Sequence, residues 1–271
     1  MASATGIPDG AVHRDGLGED EPLLGRIGDA LQQAGRPLYH NLIIGMYSVS
    51  ISSITTLNTT AGTAVITQAG IILLVASVWA GIFLHPLILF SAHPILNSTA
   101  LFALTESILL LQPTHTAAQK RQGTLAHFSL NLFAIDLLIA GLVIIEYNKI
   151  AHGGTHFVSA HAILGLITYI LLAIQALVGF TAYFVPKLFG SVDKAKSLYK
   201  WHRLSGYLVL ILMLATVAAA TQTDYNKGVL HIKLWAVLVT AALILIGILP
   251  RIKKQKLGLG GRPLASGAFG Q

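Results

Sequence analysis

Four of the eleven histidines fall in a pattern that could bind a metal. Ser91-Ala92-His93-Pro94-Ile95-Leu96 and Ser159-Ala160-His161-Ala162-Ile163-Leu164 share the pattern S-A-H-x-I-L, and each opens a long apolar stretch. Leu125-Ala126-His127 and Lys200-Trp201-His202 open two more. Neutral imidazole is a common ligand of transition metals. A pair of imidazoles from facing helices is also what a flat iron macrocycle needs, one nitrogen above its plane and one below. Both axial positions would then be filled, so the chemistry expected is electron transfer rather than oxygenation. The chain has no cysteine, which excludes iron–sulfur clusters, thiolate chemistry, disulfides and covalent haem attachment. A lone histidine near the end of an apolar span is usually interfacial. Four at matching depths, on four consecutive spans and two at each end, point to a site.

The elements that must position these residues are written in the composition. A soluble domain carries roughly a quarter charged residues; this chain of 271 has 11% charged and 54% hydrophobic. Between Pro37 and Thr105 there is no Asp, Glu, Lys or Arg. Lipid requires such a stretch and water does not tolerate it. A soluble enzyme, a disordered protein and a nucleic-acid-binding domain are excluded, and the formal charge of +7 reads as membrane topology. Six stretches reach the roughly 20 residues that cross a bilayer: 63–85, 92–112, 123–147, 157–185, 203–223 and 232–250. The expected fold is all-α, an integral-membrane six-helix bundle whose helices two to five form a four-helix di-haem core. His93 and His161 would pair at one face, His127 and His202 at the other. Fifteen Lys and Arg fall on the side of the termini, the second-to-third loop and the fourth-to-fifth loop, against Lys149, Lys227 and Lys233 on the other. The positive-inside rule then makes both termini cytosolic.

Residues 1–36 form a polar leader with no apolar h-region, expected to be a solvated tail with a short helix near Leu23 to Gln33. Residues 37–62 are apolar but rich in Ser, Thr and Asn, and read as an irregular or inserted segment. Residues 251–271 form a basic tail, with Arg251-Ile252-Lys253-Lys254-Gln255-Lys256 expected to anchor the last span against anionic lipid. Lys120, Arg121, Lys200 and Arg203 flank the cytosolic histidines. They would either draw in an anionic reductant or serve as topological anchors. Glu106 lies close enough to a span end to snorkel, whereas the deeper Asp136 is expected to face the bundle. Gly165, Gly179 and Gly206 could let helices approach one another or a flat ring. His85 and His156 are the rival ligands; His13, His40, His115, His152 and His231 read as solvated or edge residues. Glu19-Asp20-Glu21-Pro22-Leu23-Leu24 has the form of an acidic dileucine signal for endosomal or vacuolar sorting.

Leu89-Phe90-Ser91-Ala92-His93-Pro94 with Thr105-Glu106, and Pro186-Lys187-Leu188 through Leu198-Tyr199-Lys200-Trp201-His202-Arg203-Leu204-Ser205-Gly206-Tyr207, resemble the cytochrome b561 family. The likeness is greatest to the subgroup typified by cytochrome b561 domain-containing protein 2. It covers residues 63–250, the expected transmembrane domain. It implies two non-covalent haem b groups per chain, on His93, His161, His127 and His202. It also implies transmembrane oxidoreductase activity, from a cytosolic ascorbate-like donor to monodehydroascorbate or a ferric chelate on the far side. The partners are then membrane lipid and the small-molecule donor and acceptor, with no nucleic acid and a second copy of the chain as a candidate. The chain departs from the family at Ser159-Ala160-His161-Ala162-Ile163, where better-known members have Ser-Leu-His-Ser-Trp. It departs again at Leu111-Gln112-Pro113-Thr114-His115, where they have an Arg-rich motif. The competing function is a multi-span transporter, or a proton or metal-ion pathway, using the histidines without haem. A closed zinc site would need its ligands at one depth, and these divide between two.

Overall fold

The computed structural model describes residues 62–114, 117–253 and 257. The leader, nearly all of residues 37–62, His115 and the tail beyond Lys253 apart from Leu257 lie outside the described residues, and with them the dileucine motif and the expected insertion.

The described residues form seven α-helices: α1 Ala64–Phe83, α2 Ala92–Leu111, α3 Ala117–Ala151, α4 Ala160–Phe184, α5 Val192–Ser197, α6 Tyr199–Ala220 and α7 Leu234–Ile248. All but the short α5 are long and apolar enough to cross a membrane, α6 doing so as one span with α5. The chain is a multi-pass helical membrane protein. Every expected span is present, with two shifts at the ends. α3 runs from Ala117 to Ala151 rather than 123–147, because nothing breaks it before Gly153, which has φ +60°. α6 begins at Tyr199 rather than Arg203, so His202 stands in its first turn.

Local chemistry explains the helix ends that matter. Ser159 caps α4, its Oγ accepting from the Ala162 amide at 3.2 Å, which holds His161 in the first turn. Pro94 sits in the first turn of α2, where its missing N–H is one the helix leaves unpaired in any case. Pro186 ends α4 by pushing Val185 out of the helical region. Pro250 turns the chain after α7 in a short 3-10 segment, Leu249–Arg251, which brings Arg251 back over the bundle end.

Helix pairing leaves a gap where the histidines lie. α2 packs on α3, α4 on α6, and α1 on both α7 and α2. The apolar core joins Ile71 and Leu74 of α1, Leu101 and Leu109 of α2, Leu210 and Leu214 of α6, and Ile244 and Ile248 of α7. α4 contributes no fully buried residue to it. The α2/α3 pair and the α4/α6 pair thus face one another across a cleft. Between α1 and α7 the backbones approach closely: a Cβ on Gly70 would stand 2.8 Å from the Thr240 carbonyl oxygen. Thr63 Oγ1 donates to the Gly247 carbonyl at 2.8 Å across the same seam. Small residues that allow such approach are how helices associate in lipid, where no hydrophobic force drives them together.

Candidate functional site

The cleft brings the four histidines together in two pairs, each taking one residue from each helix pair. His93 of α2 faces His161 of α4 with ring centroids 6.3 Å apart. His127 of α3 faces His202 of α6 at 6.4 Å. A metal–imidazole bond of about 2 Å, plus about 1 Å from nitrogen to ring centre, separates two axial rings by roughly 6 Å across one ion. The rings in both pairs keep that separation.

Three of the four imidazoles have a defined tautomer. Nδ1 of His93 donates to the Gly141 carbonyl at 2.9 Å, that of His161 to Thr216 at 2.9 Å, and that of His127 to Ser107 at 3.2 Å. A carbonyl can only accept, so Nδ1 carries the proton and Nε2 keeps its lone pair for a metal. His202 differs. Its Nδ1 is buried with no hydrogen-bond partner among the described residues, and its ring lies against the Gly179 backbone, where a Cβ would be 2.8 Å from Cε1.

One turn beyond each histidine the sequence repeats a pattern. Asn97 Nδ2 donates to the His93 carbonyl at 2.8 Å, and Asn131 Nδ2 to the His127 carbonyl at 2.5 Å. Gly165 and Gly206 occupy the same i+4 position after His161 and His202. So α2 and α3 carry His-x3-Asn, and α4 and α6 carry His-x3-Gly. Asn131 Nδ2 also reaches Ser107 Oγ of α2 at 3.0 Å, and both glycines face the partner helix of their own pair, Gly165 towards Thr216 and Gly206 towards Gln175. Tyr169 crosses the middle of the cleft, its hydroxyl donating to Asn97 Oδ1 at 2.8 Å and lying 3.0 Å from the Leu138 carbonyl. Neither the asparagines nor Tyr169 was singled out from the sequence, although the i, i+4 spacing is visible there.

Around His127 and His202 the cleft opens into a cavity of about 680 Å³, within the range of cofactor sites, about 300–1,000 Å³. Its lining is largely apolar, and Phe128, Phe180 and Phe184 form an aromatic cluster there, Phe128 edge-on to Phe184 at 5.2 Å and Phe180 tilted against Phe184 at 4.8 Å. Its lining includes Lys120, Arg203, Arg251 and Lys253. Of the four basic residues expected beside this pair, Lys120 and Arg203 line the cavity. Arg121 and Lys200 are exposed and do not; the Lys200 ammonium lies 5.3 Å from the Trp201 ring instead. Arg251 and Lys253, expected only as lipid anchors, stand at the mouth. At the opposite end Phe90 stacks on His93 at 5.7 Å, with Tyr225 edge-on to Phe90 at 4.7 Å.

The rival histidines point elsewhere. His85, just past the end of α1, donates from Nδ1 to the Gly81 carbonyl of that helix, and His152 Nδ1 donates to the Asn148 carbonyl. His156 pairs with Glu146 at 3.3 Å, and His231 is exposed. Two carboxylates depart from expectation. Glu106 does not snorkel: it turns to α1, where its Oε2 accepts from Gln68 Nε2 at 2.8 Å. Asp136 does not face the bundle but is exposed on the outer side of α3, beside Phe133 and Ile139.

A six-span bundle with a histidine pair near each end of a four-helix cleft has the architecture of a multi-pass b-type cytochrome. The family model of eukaryotic cytochrome b561 matches residues 92–227, which contain all four histidines. The chain belongs to that family, and membership implies haem b. It is 28% identical over 166 residues to transmembrane ascorbate ferrireductase 2 of Arabidopsis thaliana, covering 59% of this chain and 71% of that one. It is 28% identical over 129 residues to the human transmembrane ascorbate-dependent reductase CYB561, covering 47% of this chain and 50% of that one. To human transmembrane reductase CYB561D2 it is 31% identical over 129 residues, covering 46% and 57%. The matched region thus spans only about half the length of the two human proteins. No solved structure matches the chain.

Proposed function

We propose that this protein carries electrons across the membrane, from a cytosolic anionic reductant of the ascorbate type to a non-cytosolic acceptor such as monodehydroascorbate or a ferric chelate. Two haem b groups per chain would be held by His93 with His161 and by His127 with His202. Iron that changes by one electron supplies the redox chemistry when bound. The reading rests above all on the two histidine pairs, 6.3 and 6.4 Å between ring centroids, at opposite ends of one cleft.

The chain's own residues do the rest. Nδ1–H bonds of His93, His161 and His127 to backbone carbonyls present Nε2 to the cleft and hold each ring in place. Phe128, Phe180 and Phe184 give the cavity an aromatic wall, and Lys120 and Arg203 raise the local concentration of an anion at its mouth. The bias of positive charge makes the His127/His202 end cytosolic. The leader motif Glu19-Asp20-Glu21-Pro22-Leu23-Leu24 then lies where sorting machinery of the endosome or vacuole can read it.

The test is a reduced-minus-oxidised spectrum of the purified protein with haem quantitation. Two haems per chain are expected, falling to one in His93→Ala or His161→Ala and to one in His127→Ala or His202→Ala. A protein with no Soret band would return the histidines to a transport pathway. Loss of a haem in His85→Ala or His156→Ala alone would move the ligand assignment.

A further inference from the structure

Tyr169 stands between the two histidine pairs. Its side lines the cavity that contains His127 and His202, yet its hydroxyl serves the other pair. The His93 carbonyl, which can only accept, takes an N–H from Asn97 Nδ2 at 2.8 Å. The amide of Asn97 therefore has its nitrogen towards His93 and its oxygen away. That oxygen accepts from the Tyr169 hydroxyl at 2.8 Å, with the Leu138 carbonyl 3.0 Å from the same hydroxyl. The amide nitrogen also lies 3.4 Å from His93 Nδ1, whose own proton goes to the Gly141 carbonyl at 2.9 Å. Glycine at 141 makes the room: a Cβ there would stand 2.5 Å from Asn97 Nδ2. One hydroxyl of α4 thus fixes which end of an amide on α2 meets the imidazole, against α3. Asn131, in the same place after His127, is held differently, by Ser107 Oγ.

This orientation has an electrical consequence. The N–H end of an amide is positive, and ferric iron carries one positive charge more than ferrous iron. In a low dielectric the N–H end beside the ligand disfavours the ferric state. It opposes the Gly141 carbonyl, which makes the ring more basic. Without Tyr169 to hold its oxygen, the amide can turn and offer His93 Nδ1–H a second acceptor, with the opposite effect. We propose that Tyr169, acting through Asn97, raises the midpoint potential of the His93/His161 site. This rests on the electron-transfer reading above and deepens it. Three of the four imidazoles donate to carbonyls, two of them at this end, so the device narrows the gap an electron must climb from the His127/His202 site. No bond is made or broken and Tyr169 keeps its proton. Tyr169 and Asn97 are positioning residues.

The experiment compares the full-length, haem-loaded protein with its Tyr169→Phe, Asn97→Leu and doubly substituted variants. Midpoints are read by potentiometric titration in the His127→Ala background, which retains the His93/His161 site, and in the His93→Ala background, which retains the other. Vesicles of the two-haem protein, loaded with ascorbate, report reduction of external ferricyanide. Tyr169→Phe is expected to lower the midpoint of the His93/His161 site and leave that of the His127/His202 site at its wild-type value. Ferricyanide reduction slows by about tenfold, while the first reduction by ascorbate, followed by stopped flow, keeps its rate. Asn97→Leu lowers the same midpoint, and adding Tyr169→Phe to it changes nothing further, because the hydroxyl acts only through the amide. An unchanged or raised His93/His161 midpoint in Tyr169→Phe overturns the proposal. So do equal shifts at both sites, or shifts that add in the double variant, since a purely structural tyrosine would give either. A wild type without haem, or with haem that ascorbate cannot reduce, would instead sink the electron-transfer reading.

Discussion

The two histidine pairs differ in what stands behind them. At the His93/His161 end both rings donate Nδ1–H to a carbonyl at 2.9 Å; at the other end His127 does so at 3.2 Å and His202 not at all. Such a bond makes the imidazole a more basic ligand, which favours the ferric state. The His127/His202 site is therefore expected to have the higher midpoint potential. Potentiometric titration of variants that retain one site each would check this, and a higher potential at the His93/His161 site would refute it. The order makes the first reduction at the basic end easier and the onward step to the His93/His161 site uphill, so a potential negative on the reductant side would assist that step. Charge removal at Lys120 or Arg203 is expected to slow an anionic donor at low salt while leaving haem content unchanged. Variants with unaltered rates and salt response would make these two residues anchors only.

Two glycine contacts separate site from scaffold at the level of helices. Gly179 lets the His202 ring lie against α4, and a methyl there would meet Cε1 at 2.8 Å. Gly179→Ala should displace the ring and lower occupancy of the His127/His202 site, read as a fall toward one haem per chain with the fold intact by circular dichroism. Gly70 at the α1/α7 seam touches no part of the cleft. Gly70→Ala is expected to cost about 1–3 kcal/mol through overpacking, seen as a lower melting temperature in detergent. Its haem spectrum should match wild type. If the two substitutions had the same effect, the separation between histidine cleft and flanking helix pair would be wrong.

The described residues differ between the two ends: one carries the cavity with Lys120, Arg203, Arg251 and Lys253, and at the other Phe90 stacks on His93 with Tyr225 edge-on to Phe90. On the proposed orientation, with the His127/His202 end cytosolic, moving an electron outward from a negative-inside compartment is favoured by about 2.3 kcal/mol for about 100 mV. Oriented vesicles loaded with ascorbate are therefore expected to reduce external ferricyanide, faster when the potential is negative on the reductant side. No reduction with both haems present, or rates indifferent to the sign of the potential, would refute vectorial transfer. Asp136, exposed on the outer side of α3, lies off this route. Asp136→Asn should leave spectrum and transfer rate unaltered.

Lipid made much of the architecture readable in advance. A bilayer admits only spans of a certain length with their backbone groups satisfied internally, so the six apolar runs had to be helices. The depth of His93, His127, His161 and His202 followed from their places at the starts of those runs, and the family from the motifs around them. Facing was another matter. Lipid tails are as apolar as a protein core, so hydropathy along a span does not tell its buried side from its outer side. That is why Asp136 could be expected inside and lie outside, and why Glu106 could be expected at the interface and be paired with Gln68. The pairing of α2 with α3 and of α4 with α6, which opens the cleft, depends on side-chain packing between helices distant in sequence. So does the meeting of Gln112 with Arg251, whose Nε donates to the amide oxygen at 3.0 Å: a basic tail alone reads as a lipid anchor, and only the turn at Pro250 and the buried amide of Gln112 carry that arginine to the mouth of the cavity.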